Sequence, residues 1–268
     1  MINWLRVGIY LVVLLLVSGL LIPLQLLALR FDWPLRRRMP RYWHRMALWF
    51  LGIRVHVHGT LETRRPLMIA ANHASWKDIL VLGSIADVVF IAKTEVASWP
   101  LFGFLAKLQK TIFVVREEKR RTGDQVNEIA ARMADGEIVV LFPEGTTSDG
   151  NRILGIKSSL FGAAAAALPD DEDGVVHVQP VAIAYTRVQG MPMGRYHRPI
   201  AGWPGDIGLM EHLIGVLRAG AIDVDITFGE TVDFKKGDSR KTLAARIEEQ
   251  LRTMLLSHLR GHRGRRTG

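Results

Sequence analysis

Residues 67–78 read L-M-I-A-A-N-H-A-S-W-K-D, and the way this stretch divides decides the fold. Leu67 to Ala71 is an apolar run with the length of a strand. The polar residues after it hold a histidine and an aspartate five positions apart. On one straight helix a five-residue step turns a side chain by about 500°, so His73 and Asp78 would point about 140° apart. They meet only if the chain turns between them. Ser75-Trp76-Lys77-Asp78 has the spacing of a capping box that opens a helix. His73 then falls in the loop before the helix and Asp78 in its first turn. Two readings fit this heptad equally well: a cap beside an ordinary loop histidine, or an imidazole–carboxylate pair at a strand-to-helix junction.

Working outward from residue 67, short apolar runs alternate with longer helical ones. Strands are expected at 55–58, 67–71, 88–92, 111–115, 138–142, 178–184 and 223–228, each rich in Val, Ile or Phe and bounded by Gly, Pro, Asp or Asn. Helices are expected at 76–84, 101–108, 122–134, 157–168, 209–219 and 240–259. That alternation predicts an α/β domain with a mostly parallel central sheet flanked by helices. The sequence holds no internal repeat. The expected division is a membrane-associated helical segment at 1–53, one α/β domain at 54–259, and a basic, disordered tail at 260–268.

The chain has 268 residues, of which 49% are hydrophobic, and a formal net charge of +9. That balance suits anionic partners: nucleic acid, an anionic membrane surface or phosphorylated substrates. The absence of cysteine excludes disulfides, thiolate metal sites and a cysteine nucleophile.

The amino-terminal fifty residues choose among those partners. Residues 7–29 carry no charged side chain, enough to cross a hydrocarbon core about 30 Å thick. The run is too long for a signal-peptide core and no A-x-A-like cleavage site follows it, so it reads as retained. Trp4, Trp33, Trp43 and Trp49 flank it, as interfacial rings do. Arg30, Arg36, Arg37, Arg38, Arg41 and Arg45 follow, opposed only by Asp32. By the positive-inside rule the remainder of the chain is cytoplasmic, at the inner membrane. Residues 42–53 form a second apolar segment with His44 and Arg45 to one side, so a spanning helix and a shallow helical hairpin both remain open.

Several catalytic signatures are missing. There is no G-x-S-x-G elbow and no G-x-G-x-x-G after a strand, and Asn151-Arg152 stands where a P-loop needs Lys-Ser/Thr. His56 and His58 share a strand face with no third ligand evident in sequence, and read as polar-face residues. Two stretches stand out. F-P-E-G-T-T-S-D-G, residues 142–150, leaves a strand for a loop with a carboxylate, glycines and hydroxyls, where open α/β sheets bind ligands. Backbone amides around Gly145 and Thr146 would suit an anion. I-F-V-V-R, 112–116, ends a strand in Arg116, a bidentate phosphate ligand by chemistry. Taken singly, an ordinary turn and a solvated arginine explain them as well.

In combination these stretches resemble the lysophospholipid acyltransferase family, which includes 1-acylglycerol-3-phosphate acyltransferase. N-H-A-S-W-K-D fits its N-H-x-S-x-x-D (H-x4-D) block. I-A-K-T-E-V-A-S-W-P-L-F-G (91–103) looks like the segment linking to the next block. T-I-F-V-V-R fits the second block, F-P-E-G-T-T-S the third and V-Q-P-V-A-I the fourth, with Pro180 as its fixed point. The resemblance spans about residues 67–184 and the amino-terminal membrane segment. Two departures stand out. Lys110 replaces the glycine that opens the second block, and Thr147 the arginine of E-G-T-R-S, thought to hold the acceptor phosphate. The E-G-T-T-S-D-G form also resembles bacterial relatives that acylate lyso-ornithine lipid.

The resemblance implies transfer of a fatty acyl group from acyl-CoA or acyl-ACP to a lysolipid hydroxyl. The expected acceptor is 1-acylglycerol-3-phosphate, giving phosphatidic acid in phospholipid biosynthesis, with lyso-ornithine lipid as the alternative. His73 is implied as general base and Asp78 as its orienting carboxylate. Glu144, Gly145 and Thr146 would bind the acceptor's polar end and Arg116 its phosphate, and Arg116, Lys110, Arg152 or Lys157 would stand in for the arginine missing at Thr147. No metal, cofactor or nucleic acid is implied. A competing reading from another class is a non-catalytic protein that binds anionic lipids, which has no need of His73 within reach of Asp78.

Overall fold

The computed structural model describes residues 4–115, 119–169, 174–205 and 207–260. Arg116 and tail residues 261–268, both given roles above, lie outside the described residues. The chain opens with two helices, α1 (Trp4–Arg30) and α2 (Leu35–Phe50). Strands β1 (Ile53–His58) and β2 (Leu67–Ala71) follow, then α3 (Lys77–Ile85), β3 (Val88–Lys93), α4 (Phe102–Leu108), β4 (Ile112–Val114), α5 (Lys119–Ala134) and β5 (Ile138–Leu141). The remainder comprises α6 (Gly162–Ala166), β6 (Val175–Val188), β7 (Met191–Pro192), α7 (Leu209–Ala219), β8 (Ile222–Phe228), β9 (Val232–Lys235) and α8 (Arg240–Leu259).

The main sheet runs β1-β8-β6-β2-β5-β3-β4. Its neighbours pair parallel except for β6 with β8, and β7 and β9 add short antiparallel pairings to β6. The expected α/β architecture with a mostly parallel sheet is the one observed. Every residue of β2 is buried, because helices cover both faces. Met68 and Ala70 join Val139 and Leu141 in a core under α5, α6 and α8. Leu67, Ile69 and Ala71 alternate into a second core, with Val140 of β5, under α2, α3 and α7. Strict alternation along β2 therefore feeds two cores.

Three expectations shift. Residues 157–168 form a 3-10 turn at Ser158–Phe161 and then the short α6, since Ser158, Ser159 and Gly162 are weak helix formers ahead of the alanines. β6 extends beyond 178–184 at both ends, because β9 pairs with residues 175–178 and β8 continues to pair as far as Val188. α2 starts at Leu35 rather than residue 42 and passes through Pro40. A proline there lacks the N–H that would bond the carbonyl of Arg36. Gln25 of α1 supplies the missing donor: its Nε2 lies 3.0 Å from Arg36 O and 2.9 Å from Leu108 O.

Gln25 thus ties α1, α2 and α4 together, and Trp43 Nε1 donates to Ser18 Oγ at 3.0 Å. Trp43 is thereby a tie between the two helices. Most of α1 stays uncovered: Val12–Arg30 has a mean hydropathy of 2.6 and is 11% buried. Leu15, Leu16 and Leu20 are exposed. Such a helix is long and apolar enough to cross a membrane, which fits membrane association.

Candidate active site

The carboxyl end of β2 delivers Asn72 and His73 to the sheet's edge. Asn72 clamps β6 there, its Nδ2 donating to Ile183 O at 3.0 Å and its Oδ1 accepting Ile183 N–H at 2.7 Å. The chain then turns through 74–76 and enters α3 at Lys77. This turn brings His73 Nδ1 to 2.9 Å from Asp78 Oδ2, the contact a straight helix forbids. The cap is half of the expected box. Asp78 Oδ2 accepts the N–H groups of Ala74 (2.7 Å) and Ser75 (2.8 Å), while Ser75 Oγ lies 3.4 Å from Lys77 N. Asp78 Oδ1 accepts the hydroxyl of Tyr185, on β6, at 2.8 Å. Asp78 therefore caps and orients at once, and the two readings of the heptad merge.

Phe142, at the end of β5, supplies a floor. Its ring stacks on the His73 imidazole with centroids 4.0 Å apart and an interplanar angle of 16°. Beneath the loop, Glu144 Oε1 accepts the His73 N–H at 2.7 Å and Oε2 the Leu154 N–H at 2.6 Å. Burial pushes the Glu144 carboxyl up to about 7, against the pull of those two amides. Ser148 N–H closes the brace on His73 O at 2.9 Å.

These residues open onto a cavity of about 1870 Å3 lined by His73, Trp76, Phe142, Gly145, Thr146 and Thr147. Apolar side chains of α1 and α2, among them Leu21, Ile22 and Met39, continue its wall. A hydroxyl in that space would face an imidazole whose Nδ1 lies 2.9 Å from a carboxylate, an arrangement in which Nε2 can take a proton.

Residues 52–184 match the Acyltransferase family. The lyso-ornithine lipid O-acyltransferase of Rhizobium meliloti (strain 1021) is 62% identical over 97% of this chain and 89% of its own. The enzyme of the same name from Brucella abortus (strain 2308) is 48% identical over 97% of this chain and 98% of its own. The chain belongs to the lysophospholipid acyltransferase family. Its fold agrees with the crystal structure of the 1-acyl-sn-glycerophosphate acyltransferase PlsC from Thermotoga maritima, at a TM-score of 0.65, 22% identity and 95% coverage of both chains. It is a lysolipid O-acyltransferase.

As an acyltransferase of this family, the chain brings His73, Asp78, Glu144, Gly145 and Thr146 to one place, but not in the expected roles throughout. Glu144 spends both oxygens on backbone amides and is 2% exposed, so as placed it braces the catalytic loop from behind. Gly145 adopts φ +74°, and its N–H donates to Phe142 O at 3.1 Å. The Gly145 amide expected for an anion is thus engaged in the turn that positions the loop. Gly145 and Thr146 do line the cavity. Lys110 has φ +58°, a left-handed conformation that explains why the family favours glycine there. Tyr185, Lys77 and Phe142 were missed as site residues. Phe142 and Lys77 lie inside quoted motifs, and Tyr185 lies two residues past the fourth block.

Proposed function

We propose that this enzyme transfers an acyl group from a thioester, acyl-CoA or acyl-ACP, to the hydroxyl of lyso-ornithine lipid. The observation that carries the chemistry is the His73–Asp78 contact of 2.9 Å at the cavity wall. His73 Nε2 removes the acceptor's proton as its oxygen attacks the thioester carbonyl, and the thiol departs. Asp78 fixes the tautomer and stabilises the imidazolium, and Tyr185 with two amides fixes Asp78. No acyl-enzyme is required.

Two observations favour the amino-acid head group over the phosphate expected from the wider family. The relatives at 62% and 48% identity carry the lyso-ornithine name. Thr147, which lines the cavity, replaces the arginine associated with phosphate. In this reading α1 and α2 form the anchor, residues 54–259 the catalytic domain on the cytoplasmic side of the inner membrane, and the Arg-rich flank sets that orientation.

The test is an acceptor panel with labelled acyl donor and detergent-purified full-length protein. Lyso-ornithine lipid should rank first, and Thr147→Arg should raise the relative rate on lysophosphatidate. Lysophosphatidate ranking first in the wild type would overturn the acceptor assignment alone. His73→Ala should lower kcat by about 10²–10⁴-fold. Retention of activity within tenfold would overturn the mechanism, whichever acceptor ranks first.

A further inference from the structure

The edge strand β1 and its neighbour β8 carry the matched pairs His56/His58 and Asp223/Asp225. Parallel pairing sets His56 beside Asp225, and each imidazole reaches diagonally to a carboxylate. His56 Nε2 lies 3.0 Å from Asp223 Oδ1, and His58 Nε2 lies 2.7 Å from Asp225 Oδ1. The second pair gains a third member from α8, whose last turn lays His258 over it. The His58 and His258 rings are 4.9 Å apart, and His258 Nδ1 is 3.9 Å from Asp225 Oδ1. One ligand atom from each of the three residues lies within 4.8 Å of the others.

We propose that His58, Asp225 and His258 form a binding site for a divalent first-row transition ion such as Zn2+. Two imidazoles and a carboxylate are a common ligand set for such ions, with water completing the shell. The outer contacts are those a metal site needs. Thr186 Oγ1 donates to the second oxygen of Asp225 at 2.6 Å. His258 Nε2 is 2.6 Å from Thr227 Oγ1, and donation from that nitrogen presents an Nδ1 lone pair on the Asp225 side. The site also sits at the carboxyl end of α8, where the helix dipole favours positive charge.

This site lies on the opposite face of the sheet from the catalytic dyad. Asp225 and Thr227 pair with Ala184 and Ala182, which belong to the core under α8. Tyr185, which holds Asp78, faces the other core. An ion here would pin α8 to the β1–β8 edge without entering the acyl-transfer site.

The experiment uses detergent-purified full-length protein without a polyhistidine tag, stripped with EDTA and titrated with Co2+. One equivalent should produce a visible d–d band that Zn2+ abolishes. His58→Ala and His258→Ala should each weaken binding at least tenfold, and Thr186→Val by about tenfold. His56→Ala should leave the affinity unchanged. Absence of a stoichiometric band in the wild type overturns the proposal outright. So does a band that survives both His58→Ala and His258→Ala, with native far-UV circular dichroism confirming that the variants fold.

Discussion

Lys77, next to Asp78, is a costly residue to bury. It is fully buried, with Nζ 2.6 Å from Ala201 O and 3.0 Å from Ser75 Oγ. Burial lowers its pKa from 10.5 to about 7, with the neighbouring Asp78 resisting the shift. Between about pH 7 and 10.5 the unfolded chain therefore holds a proton that the native chain lacks, and stability rises with pH across that window. Thermal midpoints at pH 7 and pH 9.5 should show the wild type gaining on Lys77→Met as pH increases. A difference that does not change with pH would mean that Lys77 keeps one protonation state throughout. At this scale the sequence was half legible. His73 and Asp78 could be read because a five-residue step demands a turn, and Ser75 supplied one. Glu144 was read as a ligand because burial and backbone amides leave no trace in a motif. Tyr185 lay hidden because its partner is on another element, more than a hundred residues earlier.

Between elements, α2 and α3 approach closely where they cross. A Cβ built on Gly83 would sit 2.0 Å from His44 Nδ1, and His44 is itself buried. Gly83→Ala should therefore destabilise the protein by about 1–3 kcal/mol, the usual cost of overpacking. Gly123→Ala is the matched control. It lies within α5 with nothing within 4 Å of the added Cβ, and should stabilise by about 0.5–1 kcal/mol through helix propensity. Equal thermal midpoints for the two variants would show that the α2–α3 crossing adapts freely. Element bounds were legible where pattern and burial agree: β2, α7 and α8 fall where periodicity puts them. They were illegible where a tertiary partner rewrites a local rule. Arg36, Arg37 and Arg38 read as a flank, and Gln25, from another helix, supplies the donor that Pro40 lacks in the helix formed there. Likewise β9 is four residues long, too short to assert itself without β6.

For the whole molecule, the α/β order was readable from alternation alone, whereas the strand order was not. Nothing local reveals that β1 sits outside β8 or that β6 lies between β8 and β2. The membrane helix tests the assembly as a unit. Removing residues 1–30 should shift the protein toward a fraction released from membranes without detergent. It should also lower activity on vesicle-borne acceptor more than on detergent-dispersed acceptor, because the apolar helix that would hold the enzyme at the bilayer goes with it. Equally firm membrane retention after truncation would move the anchor to α2 and the basic body. The placement of β1 has a further consequence on the ribosome. Ile53 pairs with Ile222 and His58 with Thr227, so β1 emerges early while its sheet partner is encoded far downstream. At about 5–20 residues per second, the wait is on the order of ten seconds or more. During synthesis the nascent chain therefore carries an open strand edge next to an already emerged membrane helix. Docking of β8 onto β1 becomes one of the last steps of maturation.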